Sequence, residues 1–463
     1  MKKITTILLT VFIFFSFCIE TEGNNYIKNN VNEENDITIE NLIPKRGEQN
    51  IISTPEIKIS YSSKFTLNDY RLYLNYKDVT NKTISTSKYI YYKCDKKLKR
   101  GVQVVKLDIS TENNKVEEVE WYFTVGTPFY NNYRGIFFNN TNELNMLTSY
   151  EDLNNMCKNT KHLDYIFITE KINNKENNKV DTHIDSKKYK KLIDSCNKYT
   201  DNNGFISIPG FELSTKIKNE KSKTKINIFN CKSPFLFKDN ISLELLYKKL
   251  FYYEDDLICQ FKSDNYLSNV DYFKYSPYGD KIISLLELKK ELSTIDDREV
   301  LNLDAYKEAL DNGWHVSPIA CEYNEYPNLN IGKGIRTYIL CEDLSKSKII
   351  DAIKNRRIYV SEDNNVDIYY SLNKMPMGSI IQSPSYIRII VSAINNDELD
   401  KIKKIEIFSN NNEVIYKQDF NSNYAKVDFT LKPPTKNTYY FAVITEKSNK
   451  KSVTSPIWIE HYY

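Results

Sequence analysis

The side chains of this chain that could do chemistry stand at the ends of short apolar runs in its central part. Glu170 and Lys171 close YIFITEK, Glu212 lies in GFELS, and Lys225 precedes INIF. Lys262 and Ser263 follow ICQF, while Glu322, Tyr323 and Glu325 follow SPIAC. Carboxylates gathered at strand ends hold hard cations such as Mg2+ or Ca2+. Ammonium groups among them would form internal salt bridges instead, or a basic mouth (Lys171, Lys225, Lys262, Arg134 and Arg336) for a phosphate or another acidic ligand. Histidine is scarce. His162, His183, His315 and His461 are the four present, and each reads as packed or solvated rather than as a metal ligand. There is no G-x-S-x-G elbow, Walker loop, dinucleotide glycine fingerprint or zincin helix.

Three stretches with different rhythms must position these groups. From residue 37 to 126, short alternating runs such as IKISY, YRLYLNYKDVT and VEWYFTVG predict a β-sandwich of the immunoglobulin-like kind. From 127 to 364, strands alternate with helices. Ser149-x-x-Asp152 reads as a capping box, and Tyr189, Leu192, Ile193, Cys196 and Tyr199 recur at helical spacing. A helix over Asp304–Asn312 should stop at Gly313. Such alternation predicts a parallel α/β barrel. From 365 to 463, runs such as YIRIIVSAI and TYYFAVIT return to the strand period and predict a second β-sandwich.

The ordered segments YRGIFFNNT, LDYIFITEK, FISIPGFELS, CQFKSD and GWHVSPIACEYNE resemble the PHP superfamily, the polymerase and histidinol phosphatase-like metallophosphoesterases. Family members read G-D-L-H-x-H-T, L-D-x-x-x-x-T-D-H, G-x-E, F-N-H-P and D-N-H in that order. The resemblance implies a distorted barrel of seven units with a polynuclear metal site at its mouth. It also implies that most ligands are gone. Phe138 and Asn140 stand where the H-x-H histidines belong, and Ile136 where its aspartate belongs. Glu170 replaces an aspartate and Lys171 a histidine, and Glu212 is the retained glutamate. Lys225 and Ser263 each stand for a histidine, Tyr323 for an aspartate and Glu325 for a histidine. Phe has no lone pair to donate, and losing even one supporting group of a metal site costs about tenfold or more. The resemblance therefore implies a pocket with no metal, no cofactor and no catalytic residue. The alternative is a rebuilt, acid-rich site for Mg, Mn or Zn that hydrolyses phosphoric esters.

The remaining signals concern location and partners. Lys2 and Lys3 followed by Ile7–Phe17 form a secretory signal over residues 1–18, and 19–36 is a polar, Asn-rich tether. Cys18 lies where a lipoprotein signal carries its acylated cysteine, so export ends in lipidation or in plain cleavage. A net charge of +3, with Lys and acids interspersed, argues against a nucleic-acid footprint. The eight cysteines show no C-x-x-C pair and read as small buried hydrophobes. The expectation is an exported, cell-envelope protein with a binding or structural role toward a surface or periplasmic partner or a small anionic ligand. Any membrane contact would be made only through Cys18.

Overall fold

The computed structural model describes residues 37–461 apart from internal segments, of which 140–148, 172–186, 263–272 and 324–333 are the longest. The signal, the tether, Cys18, Asn140, His183, Ser263 and Glu325 lie outside the described residues. The described chain is mostly β. Its first unit is two four-stranded antiparallel sheets, one containing Ile37–Ile43, Glu56–Ser63 and Tyr89–Lys93, the other Leu67–Leu74, Gly101–Thr111 and Val116–Val125. Alternation along the last strand sends Trp121, Phe123 and Val125 into the shared core, with Ile57, Ile59, Leu72 and Leu107. The Trp121 indole donates to the Pro44 carbonyl at 2.9 Å, satisfying its buried N–H.

The middle unit is a ring of strands. In chain order these are β1 (Asn131–Asn139), β2 (Tyr165–Lys171), β3 (Ile206–Lys216), β4 (Lys223–Phe229), β5 (Ile258–Phe261), β6 (Ile283–Glu287), β7 (Ser317–Ile319) and β8 (Cys321–Tyr323). Each pairs with the next up to β7. β8, which continues β7 past Ala320, pairs in parallel with β1 (Cys321↔Phe137, Tyr323↔Asn139). The sheet therefore closes on itself with seven staves, β7 and β8 forming one.

The ring is not wholly parallel, which corrects the sequence expectation. β4 runs antiparallel to both β3 and β5. Only residues 217–222 separate β3 from β4, fewer than the dozen or so that a crossover connection needs. Helices α1 (Tyr150–Asn155), α2 (Lys187–Tyr199), α3 (Leu243–Phe251), α4 (Pro277–Asp280) and α5 (Asp304–Asp311) connect the other staves. Ser149 and Asp152 form the expected capping box on α1. Gly313, at φ +95°, ends the turn after α5 in a conformation that favours glycine.

The ring has two cores because strand side chains alternate. Ile136, Phe138, Ile166, Ile168, Phe211 and Leu213 face outward and pack with Leu153, Leu192 and Leu250 of the helices. Phe137, Phe167, Ile208, Phe229 and Leu285 form an inner cluster with α6 (Lys346–Lys354). Phe137 and Phe229 meet edge to face at 5.7 Å although three staves apart, a contact that can only cross the interior. Space there is tight. A Cβ on Gly135 would stand 2.4 Å from the Tyr165 carbonyl oxygen, so no larger residue fits.

The third unit is the second β-sandwich. Val366–Leu372, Ile387–Asn395 and Tyr424–Leu431 form one sheet. The other, with Ile402–Ser409, Glu413–Ser422, Thr438–Glu446 and Lys451–Thr454, continues the ring sheet without a break. The continuation runs from β1 through Arg336–Cys341, Ile358–Ser361 and Lys451–Thr454, all antiparallel. The two sandwiches also touch: Val104 and Tyr122 pack against Ile394 and Tyr424, and Arg46 pairs with Glu398 at 3.1 Å. All seven cysteines from Cys94 to Cys341 are buried thiols. No helix among the described residues is long and apolar enough to cross a membrane.

Candidate functional site

Six staves point their C-terminal ends to one mouth, and the inward side chains there are polar. Asn139, Thr169, Glu212, Asn227, Gln260, Lys262 and Glu287 are all buried. Contacts between non-adjacent staves show that several of them face inward. The Asn227 amide donates to Asn139 Oδ1 at 2.9 Å, from β4 to β1. Gln260 Nε2 donates to Cys321 Sγ at 3.3 Å, from β5 to β8. Lys262, just past β5, meets Glu212 of β3 at 2.6 Å. Glu287 lies two residues beyond the inner Leu285 and so shares its face.

This layer is amide- and hydroxyl-rich and incompletely satisfied. Asn139 Nδ2, Thr169 Oγ1, Asn227 Oδ1 and Gln260 Oε1 are buried without a hydrogen-bond partner among the described residues. Each such atom left unpaired costs about 1–3 kcal/mol. The Glu212–Lys262 pair sets the electrostatics. Both side chains are almost fully enclosed, at 9% and 2% exposure. Their attraction there offsets a large desolvation cost only while both partners stay in place.

The sequence-derived positions scatter relative to this layer. Phe138 and Glu170 face outward, toward the helices. Phe138 packs in the outer core. The Tyr150 hydroxyl of α1 donates a short hydrogen bond to Glu170 Oε2, and Lys188 of α2 lies 2.5 Å from Oε1. Burial, and then the Glu170 charge, pushes the Tyr150 phenol far up, so it stays a donor. The physical reason for the misplacement is the two-residue strand period: a one-residue offset in the motif match moves a side chain through the wall.

Glu212 is inward. Lys225, in register with Ser214, shares the face of Asn227 and is half-buried. Lys171 is exposed at the end of β2 and does not occupy the interior; Lys262 does. Tyr323 ends β8, paired with Asn139. The acids do not converge. Glu322 meets Arg336 at 3.7 Å, away from Glu170. Among the described residues the ring contains no three His, Cys, Asp or Glu side chains close enough to share an ion. The basic mouth is dispersed as well, since Arg134 binds Asp164 and the His162 carbonyl at the opposite end of the staves. His315 is held between Asp280 (2.7 Å) and Glu460 (3.2 Å) with its ring against Trp458.

Asn139, Asn227, Gln260 and Glu287 were not singled out by sequence reasoning. Their signal was available as polar residues at every second position of otherwise apolar strands.

No family model matches the chain. It is 24% identical over 140 residues to an uncharacterized protein of Chlamydia trachomatis serovar D, a match covering 27% of this chain and 22% of that protein. The chain thus spans about a fifth of the length of this relative. Among solved structures, CopC from Methylosinus trichosporium OB3b overlaps 20% of this chain and 94% of its own, at 14% identity and a TM-score of 0.17. The fibronectin(III)-like modules of Clostridium thermocellum CbhA overlap 21% of this chain and 100% of theirs, at 15% identity and a TM-score of 0.16. A Bacteroides uniformis beta-glucuronidase 2 mutant overlaps 92% of this chain and 60% of its own, at 11% identity and a TM-score of 0.21. At such TM-scores none of these similarities bears on fold or activity.

Proposed function

We propose that this is an exported, envelope-associated scaffold. Its ring is a degenerate, non-catalytic relative of the PHP metallophosphoesterases, and it carries two β-sandwiches that supply binding surfaces. One observation carries the loss of catalysis. Glu212, at the position of a family metal ligand, is neutralised at 2.6 Å by the buried ammonium of Lys262. Hydrolysis at a polynuclear site needs several anionic or imidazole ligands to hold the ions that activate water. Here the other inward positions are amides, a hydroxyl, a lysine and a single further carboxylate, Glu287. The unbroken sheet between ring and second sandwich supports the scaffold role, because it makes the ring a rigid mount.

The test is a transition-metal analysis of the purified protein combined with phosphoesterase assays. The protein should hold well under a stoichiometric amount of Zn, Mn or Fe. Hydrolysis of phosphomonoesters and phosphodiesters should stay at background with added Mn2+, Zn2+ or Mg2+. A binuclear complement of metal, or turnover that vanishes on Glu212→Gln, overturns the proposal.

A further inference from the structure

The geometry points to a second site, in the C-terminal sandwich: a hard divalent cation of the Ca2+ class held by Asp363, Asp400 and Glu446. This inference does not depend on how the ring is read. One carboxylate oxygen from each of the three acids lies within 4.8 Å of the others, and all three residues are buried. Ca2+ takes oxygen ligands at about 2.3–2.6 Å, so two ligands of one ion stand at most roughly 5 Å apart. The trio meets that limit. Its members come from three segments: the turn after Ile358–Ser361, the loop before Ile402–Ser409, and the last residue of Thr438–Glu446.

A cluster of acids alone would mean little, but its members are unequal. Asp363 and Asp400 are fixed in place. Asp363 Oδ1 accepts the Asn365 N–H at 2.6 Å, and Asp400 Oδ1 accepts the Ser448 N–H at 2.8 Å. Glu446 is fully enclosed, at 0% exposure, and among the described residues neither of its carboxylate oxygens has a hydrogen-bond donor. A buried carboxylate with two undirected oxygens, aimed at two pre-positioned aspartates, is arranged to bind a cation.

Charge agrees with a divalent ion. Among the described residues Lys450 is the one ammonium at the cluster, 2.5 Å from Asp363 and 3.7 Å from Asp400. Three carboxylates and one ammonium leave two negative charges, which one divalent ion cancels. Without the ion, a proton takes part of that role. Burial, then repulsion from Asp363 and Asp400, pushes the Glu446 acid up to about 9. In that form its hydroxyl can donate to Asp400. Metal and proton therefore compete for the same oxygens.

Calorimetric titration of the chelator-treated full chain with CaCl2 tests the site. One ion per chain is expected to bind, with affinity rising between about pH 6 and 9 as Glu446 gives up its proton. Glu446→Gln keeps the shape of the protonated acid, so its melting temperature in EDTA should match or exceed that of the unaltered protein. Its Ca2+ affinity should fall at least about tenfold. Absence of binding up to about 1 mM Ca2+, the weak end for extracellular modules, overturns the proposal. So does Ca2+ binding that survives Glu446→Gln in the folded variant.

Discussion

Glu212 in the ring and Glu446 in the C-terminal sandwich are both buried carboxylates, yet their neighbours treat them oppositely. Glu212 has an ammonium at 2.6 Å that is as buried as itself. Among the described residues Glu446 has none at hydrogen-bond distance, only two aspartates and the more distant charge of Lys450. A fixed ammonium cannot be exchanged for a metal without leaving a charge stranded in low dielectric. A proton can be exchanged, because it leaves to solvent. On the proposed reading the ring holds its inward carboxylate with a fixed cation, while the sandwich leaves its own open to an exchangeable one. Glu170 is intermediate. Its ammonium partner, Lys188, is 45% exposed, and the Tyr150 hydroxyl shares the load.

The largest effect should come from removing the ring ammonium. Lys262→Met leaves Glu212 as an unpaired buried charge and is expected to cost about 3–5 kcal/mol in denaturant unfolding. Adding Glu212→Gln to that variant should recover most of the loss. If the double variant is no better than the single one, Lys262 is packing rather than neutralising charge.

The next effect is a pH dependence at Glu446. The unfolded acid ionises near 4.5, while the folded one holds its proton to about 9. Between those values the folded state binds the extra proton, so this group makes stability fall as pH rises. The slope should be on the order of 1 kcal/mol per pH unit at most. Glu446→Gln should remove that slope, and melts at several pH values in EDTA would show it. A variant with the same slope as the unaltered chain would mean that Glu446 is already ionised.

The smallest effect is expected on the outer wall. Lys188→Ala should cost under about 1 kcal/mol, because the lysine is half in water and Tyr150 remains as a donor. A cost equal to that of Lys262→Met would break the contrast drawn from exposure.

Much of the architecture was legible because it rests on local rhythm. Period-two runs marked both sandwiches, and the Ser149–Asp152 cap and Gly313 marked helix ends that exist as expected. The antiparallel β4 was legible too, from the short gap at 217–222, but the strand–helix alternation around it concealed the exception. The site was read less well. Motif matching finds strand ends but does not fix which wall a residue occupies, and Phe138 and Glu170 went to the wrong one. Lys262 was noticed only as one of several basic residues, since nothing local says that it reaches across two staves to Glu212. The acid trio had no sequence signature at all. Asp363, Asp400 and Glu446 are brought together only by sheet pairing over long separations.

The uninterrupted sheet from β1 to Lys451–Thr454 has a further consequence, for evolution by module exchange. The first sandwich meets the rest through side chains and can be replaced by another module of similar footprint. The second shares backbone hydrogen bonds with the ring, so its loss would expose Ile358–Ser361 as a bare strand edge ready to pair with another chain. Ring and second sandwich should therefore be exchangeable only as one unit, whereas the first sandwich can be exchanged alone.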